Sequence, residues 1–287
     1  MIVFGLEKSA GLTWEVSKLL KAEHGKLELK KFPDGEVYVK VGTRVKGREV
    51  AVIASTRTSD DLMQLFLTLD AVRGAGARMI HTVTPYLPYM RQDKVFADGE
   101  ALSARVVLKI LDEASDDITV VNAHFLDDAG RNTFHGVTIR NLDATPLLAE
   151  YFRGKAGRPF VIAPDAGSLQ YAKRAAHYLD CDFNHLQKKR VSGEDVIIRE
   201  KTIPAAGKDI IILDDIISTG GTIVNACRVI RSWKPASISV GCVHGLFIKG
   251  IESFNTVVDR LVCTNTLETP ISKVSVAGLV SRDLKSQ

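Results

Sequence analysis

Short apolar runs recur along the chain, and each is followed by a stretch whose apolar positions fall three and four apart. Residues 1–4, 49–54, 79–84 and 118–121 read as strands buried on both faces, the pattern of a parallel sheet. Residues 13–21 read as a short helix. Leu62, Leu65, Phe66, Leu69 and Val72 mark an amphipathic helix, which Gly74-Ala75-Gly76 ends. Leu102, Val106 and Ile110 restart a helix. Strand, helix and strand joined by short loops predict parallel pairing with right-handed crossovers. From Leu142 the pattern begins again. A helix over 145–152 and a strand over 160–163 come first. A helix with Leu169, Ala172, Ala176 and Leu179 on one face follows, then a strand over 182–186. Further strands are expected over 194–200, 210–213 and 238–243, with the last of the lobe at 260–264. The two halves repeat the same local order with slight identity. The expected fold class is α/β: two similar lobes with central parallel sheets flanked by helices. The expected domains are residues 1–142 plus a tail from about 275 to 287 that docks back, and residues 143–274.

The segments between the elements carry the chemistry. Lys208 to Thr222 combines a buried strand, Asp214 and Asp215 where that strand should end, the loop Ser218-Thr219-Gly220-Gly221-Thr222, and a helix with Ile223, Ala226, Cys227 and Ile230 on one face. Backbone N–H groups at a helix N-terminus suit a phosphate, and the glycines let it approach closely. Two carboxylates repel a phosphate but suit sugar hydroxyls or Mg²⁺. The pattern is neither a P-loop nor a Gly-x-Gly-x-x-Gly fingerprint. A phosphorylated sugar is therefore the expected ligand, against the plain alternative of a solvated acidic strand end. Phe32-Pro33-Asp34-Gly35-Glu36 is turn chemistry. It also places an aromatic face beside two carboxylates, as an adenine requires, and the two readings stand level. Pro85 to Lys94 is a stiff aromatic loop after a strand. Its Arg91 and Lys94 suit phosphates, and Gln92 and Asp93 suit a base or a metal-bound water. Val95 to Glu100 reads as mobile. His124 ends another strand, and Pro164-Asp165-Ala166-Gly167-Ser168 ends a third. Lys188, Lys189 and Arg190 form the densest basic cluster, either a solvated turn or a group that neutralises a phosphoryl group in transfer.

Composition narrows the classes. At 287 residues, 45% apolar and 25% charged, the chain builds an ample core. A net charge of +4 does not imply nucleic acid. The four cysteines are scattered with no Cys-x-x-Cys, which fits buried thiols in a reducing compartment. No apolar run reaches the roughly 18 residues that span a membrane. The first residues read as a strand and not as a signal peptide, so a cytoplasmic location is expected.

The Asp214–Thr222 stretch resembles the phosphoribosyl-diphosphate motif of type I phosphoribosyltransferases and of ribose-phosphate diphosphokinases. The order of Phe32–Glu36, Arg91-Gln92-Asp93, His124, Pro164–Gly167, Lys188–Arg190 and that loop resembles the second family over nearly the whole chain. The resemblance implies transfer of the β,γ-diphosphate of Mg-ATP to the 1-OH of ribose 5-phosphate, giving 5-phosphoribosyl 1-diphosphate and AMP. It implies Lys188 and Arg190 as catalytic groups. Arg91, Gln92, Asp93 and His124 would bind ATP, with His124 and Asp165 helping to hold Mg²⁺. Phe32, Asp34 and Glu36 would reach the adenine in a neighbouring subunit, making a homodimer the smallest active unit. Asp214 and Asp215 would take the ribose hydroxyls, and Ser218, Thr219, Gly220, Gly221 and Thr222 the 5-phosphate. The rivals are a phosphoribosyltransferase, which needs no extra lobe with the first two motifs, and a non-catalytic homologue, against which Lys188, Arg190 and the complete loop speak.

Two departures matter. Ser218 stands where many members of that family carry Asp. Residues 94–105 are poor in positive charge, whereas the phosphate-activated, ADP-inhibited members are basic there. The pattern looks archaeal-like, and a dimer or tetramer is expected in place of a hexamer. ADP is expected to inhibit weakly, or not at all, beyond competition with ATP. Sigmoidal inhibition by ADP at saturating ATP is the result that would contradict this.

Overall fold

The computed structural model describes residues 1–126, 128–190, 196–199 and 203–287, with residues 187–190 and 196–199 by their backbone alone. The chain divides into two units. The first comprises Met1–Asp143, Thr266–Glu268 and Val276–Gln287, and the second Ala144–Asn265 and Thr269–Ser275.

In the first unit the strands are β1 (Ile2–Gly5), β2 (Glu23–His24), β3 (Leu27–Lys31), β4 (Val37–Val41), β5 (Glu49–Ile53), β6 (Met79–Thr84), β7 (Asp117–Val121), β8 (Gly130–Phe134) and β9 (Val137–Leu142). Its helices are α1 (Ala10–Leu20), α2 (Ser59–Gly74), α3 (Ser103–Ala114) and α7 (Ala277–Lys285). A seven-stranded sheet has the order β2-β1-β5-β6-β7-β9-β8. Only β8 runs antiparallel to its neighbour. The near-continuous apolar strands are explained by burial on both faces: Val50, Val52, Ile80 and Ile118 join Leu65, Leu69, Leu108 and Leu111 from α2 and α3 in one core. β3 and β4 form a separate antiparallel hairpin.

The second unit holds α4 (Thr145–Phe152), α5 (Leu169–Leu179) and α6 (Gly221–Ser232). Its strands are β10 (Pro159–Ala163), β11 (Phe183–His185), β12 (Gln187–Arg190), β13 (Val196–Arg199), β14 (Asp209–Ile217), β15 (Ser237–Gly245), β16 (Arg260–Thr264) and β17 (Ser272–Val274). Six of them form a parallel sheet in the order β11-β10-β14-β15-β16-β17. β12 and β13 pair apart from it as an antiparallel hairpin. The core gathers Ile210, Ile212, Val240 and Cys242 from the sheet with Ile223, Cys227 and Ile230 from α6.

Set side by side, the two sheets have one topology. β1, β2, β5, β6, β7 and β9 take the places of β10, β11, β14, β15, β16 and β17. Each unit inserts its separate hairpin between the second and third of these strands along the chain. The repeat expected from the sequence is therefore a repeat of sheet order, carried by pattern more than by identity.

Three elements differ from the sequence reading. β14 runs to Ile217 and does not stop at Leu213, because β15 is equally long and pairs with it through Ile217↔Gly245. The strand at 260–264 is not the last, since β17 pairs alongside it. The hairpin turn read at Phe32–Glu36, with the alternating Val37–Val41 after it, is present as the turn into β4, but β3 and the hairpin β8–β9 are strands that the sequence reading lacked, because their polar residues break the apolar pattern. α7 buries Ala277, Val280 and Leu284, and its carboxylate Asp283 is buried and partnered within the first unit. Asp283 accepts from Thr119 Oγ1 at 2.9 Å and pairs with Arg140 Nε at 3.2 Å.

Candidate active site

In an open parallel sheet, ligands are bound beyond the carboxyl ends of the strands. Most of the residues singled out in the sequence lie there. In the second unit, β10 and β14 are adjacent and parallel. The residues after β10 supply Asp165 and Ser168, and the far half of β14 supplies Asp214 and Asp215.

These four residues form a connected group. Ser168 Oγ donates to Asp214 Oδ1 at 2.7 Å and lies 3.4 Å from Asp165 Oδ1. The Ser168 N–H lies 3.2 Å from that same Asp165 oxygen. Asp214 Oδ1 also accepts from the Asp215 N–H at 3.0 Å, and Asp215 Oδ1 accepts from the Ile216 N–H at 2.8 Å. Burial first, and the neighbouring Asp215 carboxylate second, push the Asp214 carboxyl up to about 8. The free site thus keeps a proton on the acid pair at neutral pH until something positive or hydrogen-donating arrives.

The loop that follows is built round Gly220. Its φ is +82°, in the left-handed region that suits glycine. A Cβ there would stand 2.6 Å from the Phe254 ring, which is itself buried and edge-on to Phe247. The Ser218 carbonyl is tied down by the Ile248 N–H at 2.9 Å. Gly221 is the opposite case, since among the described residues a Cβ there would meet no atom within 4 Å. α6 begins at Gly221 with no side-chain cap, so its first N–H groups are not used by a side chain at the N-cap. A braced turn, open space and unclaimed donors make a cradle for an anion.

In the first unit, β6 and β7 are likewise adjacent and parallel. Arg91, Gln92 and Asp93 follow β6, and an exposed His124 follows β7. The β6 loop is anchored by buried Tyr86, Leu87 and Met90. Tyr89 takes a positive φ of 68°, and its hydroxyl is 2.7 Å from Ser59 Oγ. Residues 95–100, expected to be mobile, are gathered round one carboxylate. Glu100 Oε2 accepts from the N–H of Phe96 at 2.8 Å, that of Ala97 at 3.1 Å, and Gln92 Nε2 at 3.1 Å. The Phe96 N–H, then that of Ala97, hold this carboxyl below its usual range.

Phe32, Asp34 and Glu36 lie on the turn between β3 and β4. Phe32 N–H donates to the Glu36 carbonyl, and the Asp34 side chain accepts from the Glu36 N–H at 3.1 Å. The segment is the turn that its residues suggest, and Phe32 is still 48% exposed with Tyr38 edge-on to it at 6.1 Å. An exposed aromatic held in place is what a planar ligand stacks on. Lys188 and Arg190 are positions on β12, and their side chains lie outside the described residues. His124 and Asp165 belong to different units.

Sequence reasoning passed over Ser168 as a site residue, although its place beside Asp165 in a loop at a strand end was a signal. It also passed over Phe254, for which no local signal exists.

Comparison with known proteins identifies the family. The family model described as the N-terminal domain of ribose phosphate pyrophosphokinase matches residues 1–114, and that of the phosphoribosyl transferase domain matches residues 139–258. Ribose-phosphate pyrophosphokinase 2 of Archaeoglobus fulgidus is 38% identical, over 95% of this chain and 96% of its own. Ribose-phosphate pyrophosphokinase of Methanothermobacter thermautotrophicus is 37% identical over 99% of this chain and 100% of its own.

The chain belongs to the ribose-phosphate pyrophosphokinase family.

It is an archaeal-like member, as the sequence pattern suggested. The family's fold is present throughout. The crystal structure of phosphoribosylpyrophosphate synthetase from Mycobacterium smegmatis superposes with a TM-score of 0.85, over 99% of this chain and 97% of that one, at 24% identity. Among the described residues no helix is long and apolar enough to cross a membrane.

Two expectations follow from this geometry. Gly220→Ala meets both a left-handed backbone and the Phe254 ring, and should cost about 2–4 kcal/mol of stability. Gly221→Ala should leave unfolding unchanged and weaken binding of a sugar phosphate; denaturant unfolding and equilibrium titration separate the two. The second concerns pH. Asp214 is raised from 3.8 to about 8 in the folded chain. Between those values the folded state holds a proton that the unfolded state lacks. Stability therefore falls as pH rises through that window and levels off above it. Calorimetry without divalent cations should show Tm falling between pH 5 and 8 more steeply for the parent than for Asp214→Asn.

Proposed function

We propose that this protein transfers the β,γ-diphosphate of ATP to the anomeric hydroxyl of ribose 5-phosphate, releasing AMP. The ribose oxygen forms a bond to the β-phosphorus, the bond from that phosphorus to the α,β-bridging oxygen breaks, and the hydroxyl proton is lost. The observation that carries this reading is the pairing of an acid pair with an anion cradle in one unit. Asp214 and Asp215 suit vicinal hydroxyls, and the Ser218–Thr222 loop suits a phosphate on the same sugar. A donor nucleotide is served by the first unit, through Arg91, Gln92, Asp93 and His124.

Ser218 leaves the cradle one carboxylate short of the commoner pattern. Its carbonyl bond from Ile248 supplies a brace that does not depend on its side chain. Phe32, Asp34 and Glu36 act on the ATP of a second copy, so the smallest active unit is a homodimer. An exposed, edge-supported Phe32 favours that role over a core one.

The residues present fit Mg²⁺. Asp165, Asp214 and Asp215 offer hard oxygen donors, and among the described residues no group of three or more His, Cys, Asp or Glu is arranged to hold a metal alone. Mg²⁺ is ordinarily held by one or two carboxylates together with substrate phosphates. Asp165 and His124 are the residues assigned to it. Bound with the nucleotide, Mg²⁺ supplies charge neutralisation on the transferring group. Lys188 and Arg190 act on the same developing charge from the β12–β13 hairpin. The protein belongs to nucleotide biosynthesis in the cytoplasm.

Incubation with ATP, ribose 5-phosphate and Mg²⁺ should yield AMP and 5-phosphoribosyl 1-diphosphate in equal amounts. Ribosylation of a free base without AMP release would overturn the reading. Lys188→Ala should lower kcat on the order of a hundredfold or more with ATP binding kept, because it removes a group acting in the transition state. Near-normal kcat would take Lys188 out of that role.

A further inference from the structure

Ser168 stands at the N-cap of α5, where a serine ordinarily turns its oxygen to the N–H groups of the first helical turn. It makes no such bond. Its hydroxyl is turned away from its own helix to Asp214 Oδ1 on the neighbouring strand, at 2.7 Å. Asp165 meanwhile accepts from the backbone N–H of Ser168, which fixes that residue from behind. Ser168 is 6% exposed, so water does not easily replace its hydroxyl at Asp214.

This arrangement fixes the orientation of the Asp214 carboxyl. Its Oδ1 accepts from Ser168 Oγ and from the Asp215 N–H. The same carboxyl is also hydrogen-bonded to the Asp215 side chain, so the two acids face a ligand as a pair. Without Ser168, only groups of Asp215 would hold a carboxyl that burial and that same neighbour both disfavour in charged form. A serine that gives up its helix cap to bond a carboxylate on another strand breaks a local rule, and such breaks concentrate where function requires them.

We propose that Ser168 is a positioning residue for the acceptor sugar: it holds the Asp214 carboxyl in the orientation in which the acid pair meets a ring hydroxyl of ribose 5-phosphate. The inference rests on the assignment of Asp214 to the ribose hydroxyls. Ser168 does not touch the reacting atoms, so its loss acts on the binding of the acceptor and spares both the chemistry and the nucleotide.

The test compares Ser168→Ala, Ser168→Thr and Asp214→Ala in the full-length protein, by steady-state kinetics and by direct titration with ribose 5-phosphate. Ser168→Ala should raise KM for ribose 5-phosphate roughly tenfold, the scale of one hydrogen bond to a charged group. KM for ATP and kcat should change far less. Ser168→Thr keeps the hydroxyl and should restore most of the loss. If Asp214→Ala weakens ribose 5-phosphate while Ser168→Ala does not, the positioning role is wrong. If Asp214→Ala leaves ribose 5-phosphate binding intact, the assignment beneath it is wrong. A Ser168→Ala protein that loses Tm, kcat and both KM values together, without rescue by threonine, would show a structural role only and overturn the proposal.

Discussion

Two carboxylates at consecutive positions near the carboxyl end of an interior strand are the constraint on which the second unit depends. Like charges so close, partly out of water, oppose each other and oppose burial. The fold answers with donors. Ser168 and the Asp215 N–H both donate to Asp214 Oδ1, and the Ile216 N–H donates to Asp215 Oδ1. The remaining imbalance shows in Asp214, which keeps its proton to about 8. Such a pair is unfavourable for an empty protein and well suited to a ligand that brings hydroxyl donors or a cation. The strain of the free site and its selectivity therefore have one origin.

The sheet makes this placement possible. Successive carboxylates on a strand turn to opposite faces, and a parallel sheet covered on both faces leaves neither face openly wet, unlike an antiparallel sheet with one face in water. Here β10, β14 and β15 are parallel, and their ends converge on one edge. The extension of β14 to Ile217, matched by β15 to Gly245, carries the pair inside a paired strand and not onto a loose turn. The following loop then has little freedom. Gly220 turns against Phe254, the Ile248 N–H holds the Ser218 carbonyl, and α6 starts at once. A mobile version of that loop would have to be ordered at the expense of ligand affinity.

Much of this was legible in the residues. The strands were visible because burial on both faces leaves continuous apolar runs such as Ile210 to Leu213. The turn that opens α6 was visible because hydroxyl and glycine residues between an acidic pair and a helical apolar pattern mark a loop. The misses have equally physical causes. β3 and β8 carry Lys30, Lys31, Arg131 and Asn132, so hairpins that are half in water leave no apolar signature. The length of β14 depends on its partner β15, which no local window contains. Phe254 is 34 residues past Gly220 by their numbers, and only the tertiary fold shows that one explains the other. Ser168 was within sight but ambiguous, because a serine after a strand and before a helix reads first as a cap.

The repeated topology gives a control within the same chain. β5 and α2 occupy in the first unit the place of β14 and α6 in the second. The start of α2 is closed: Thr58 and Asp61 form a reciprocal capping box, Asp61 also accepts from the Arg57 N–H at 2.8 Å, and Lys8 pairs with it at 2.8 Å. These internal groups fill the place where an anion would approach, and they hold the Asp61 carboxyl below its usual range against the burial that raises it. The start of α6 has glycines there and no such carboxylate. One topology thus supplies a satisfied helix end in one unit and an unsatisfied one in the other. The difference resides in a few loop residues, with the sheet unchanged. Under the proposed function, that separation lets two similar units serve chemically different substrates: the unit whose helix end is closed would bind through side chains such as Arg91 and Gln92, and the unit whose helix end is open through its backbone.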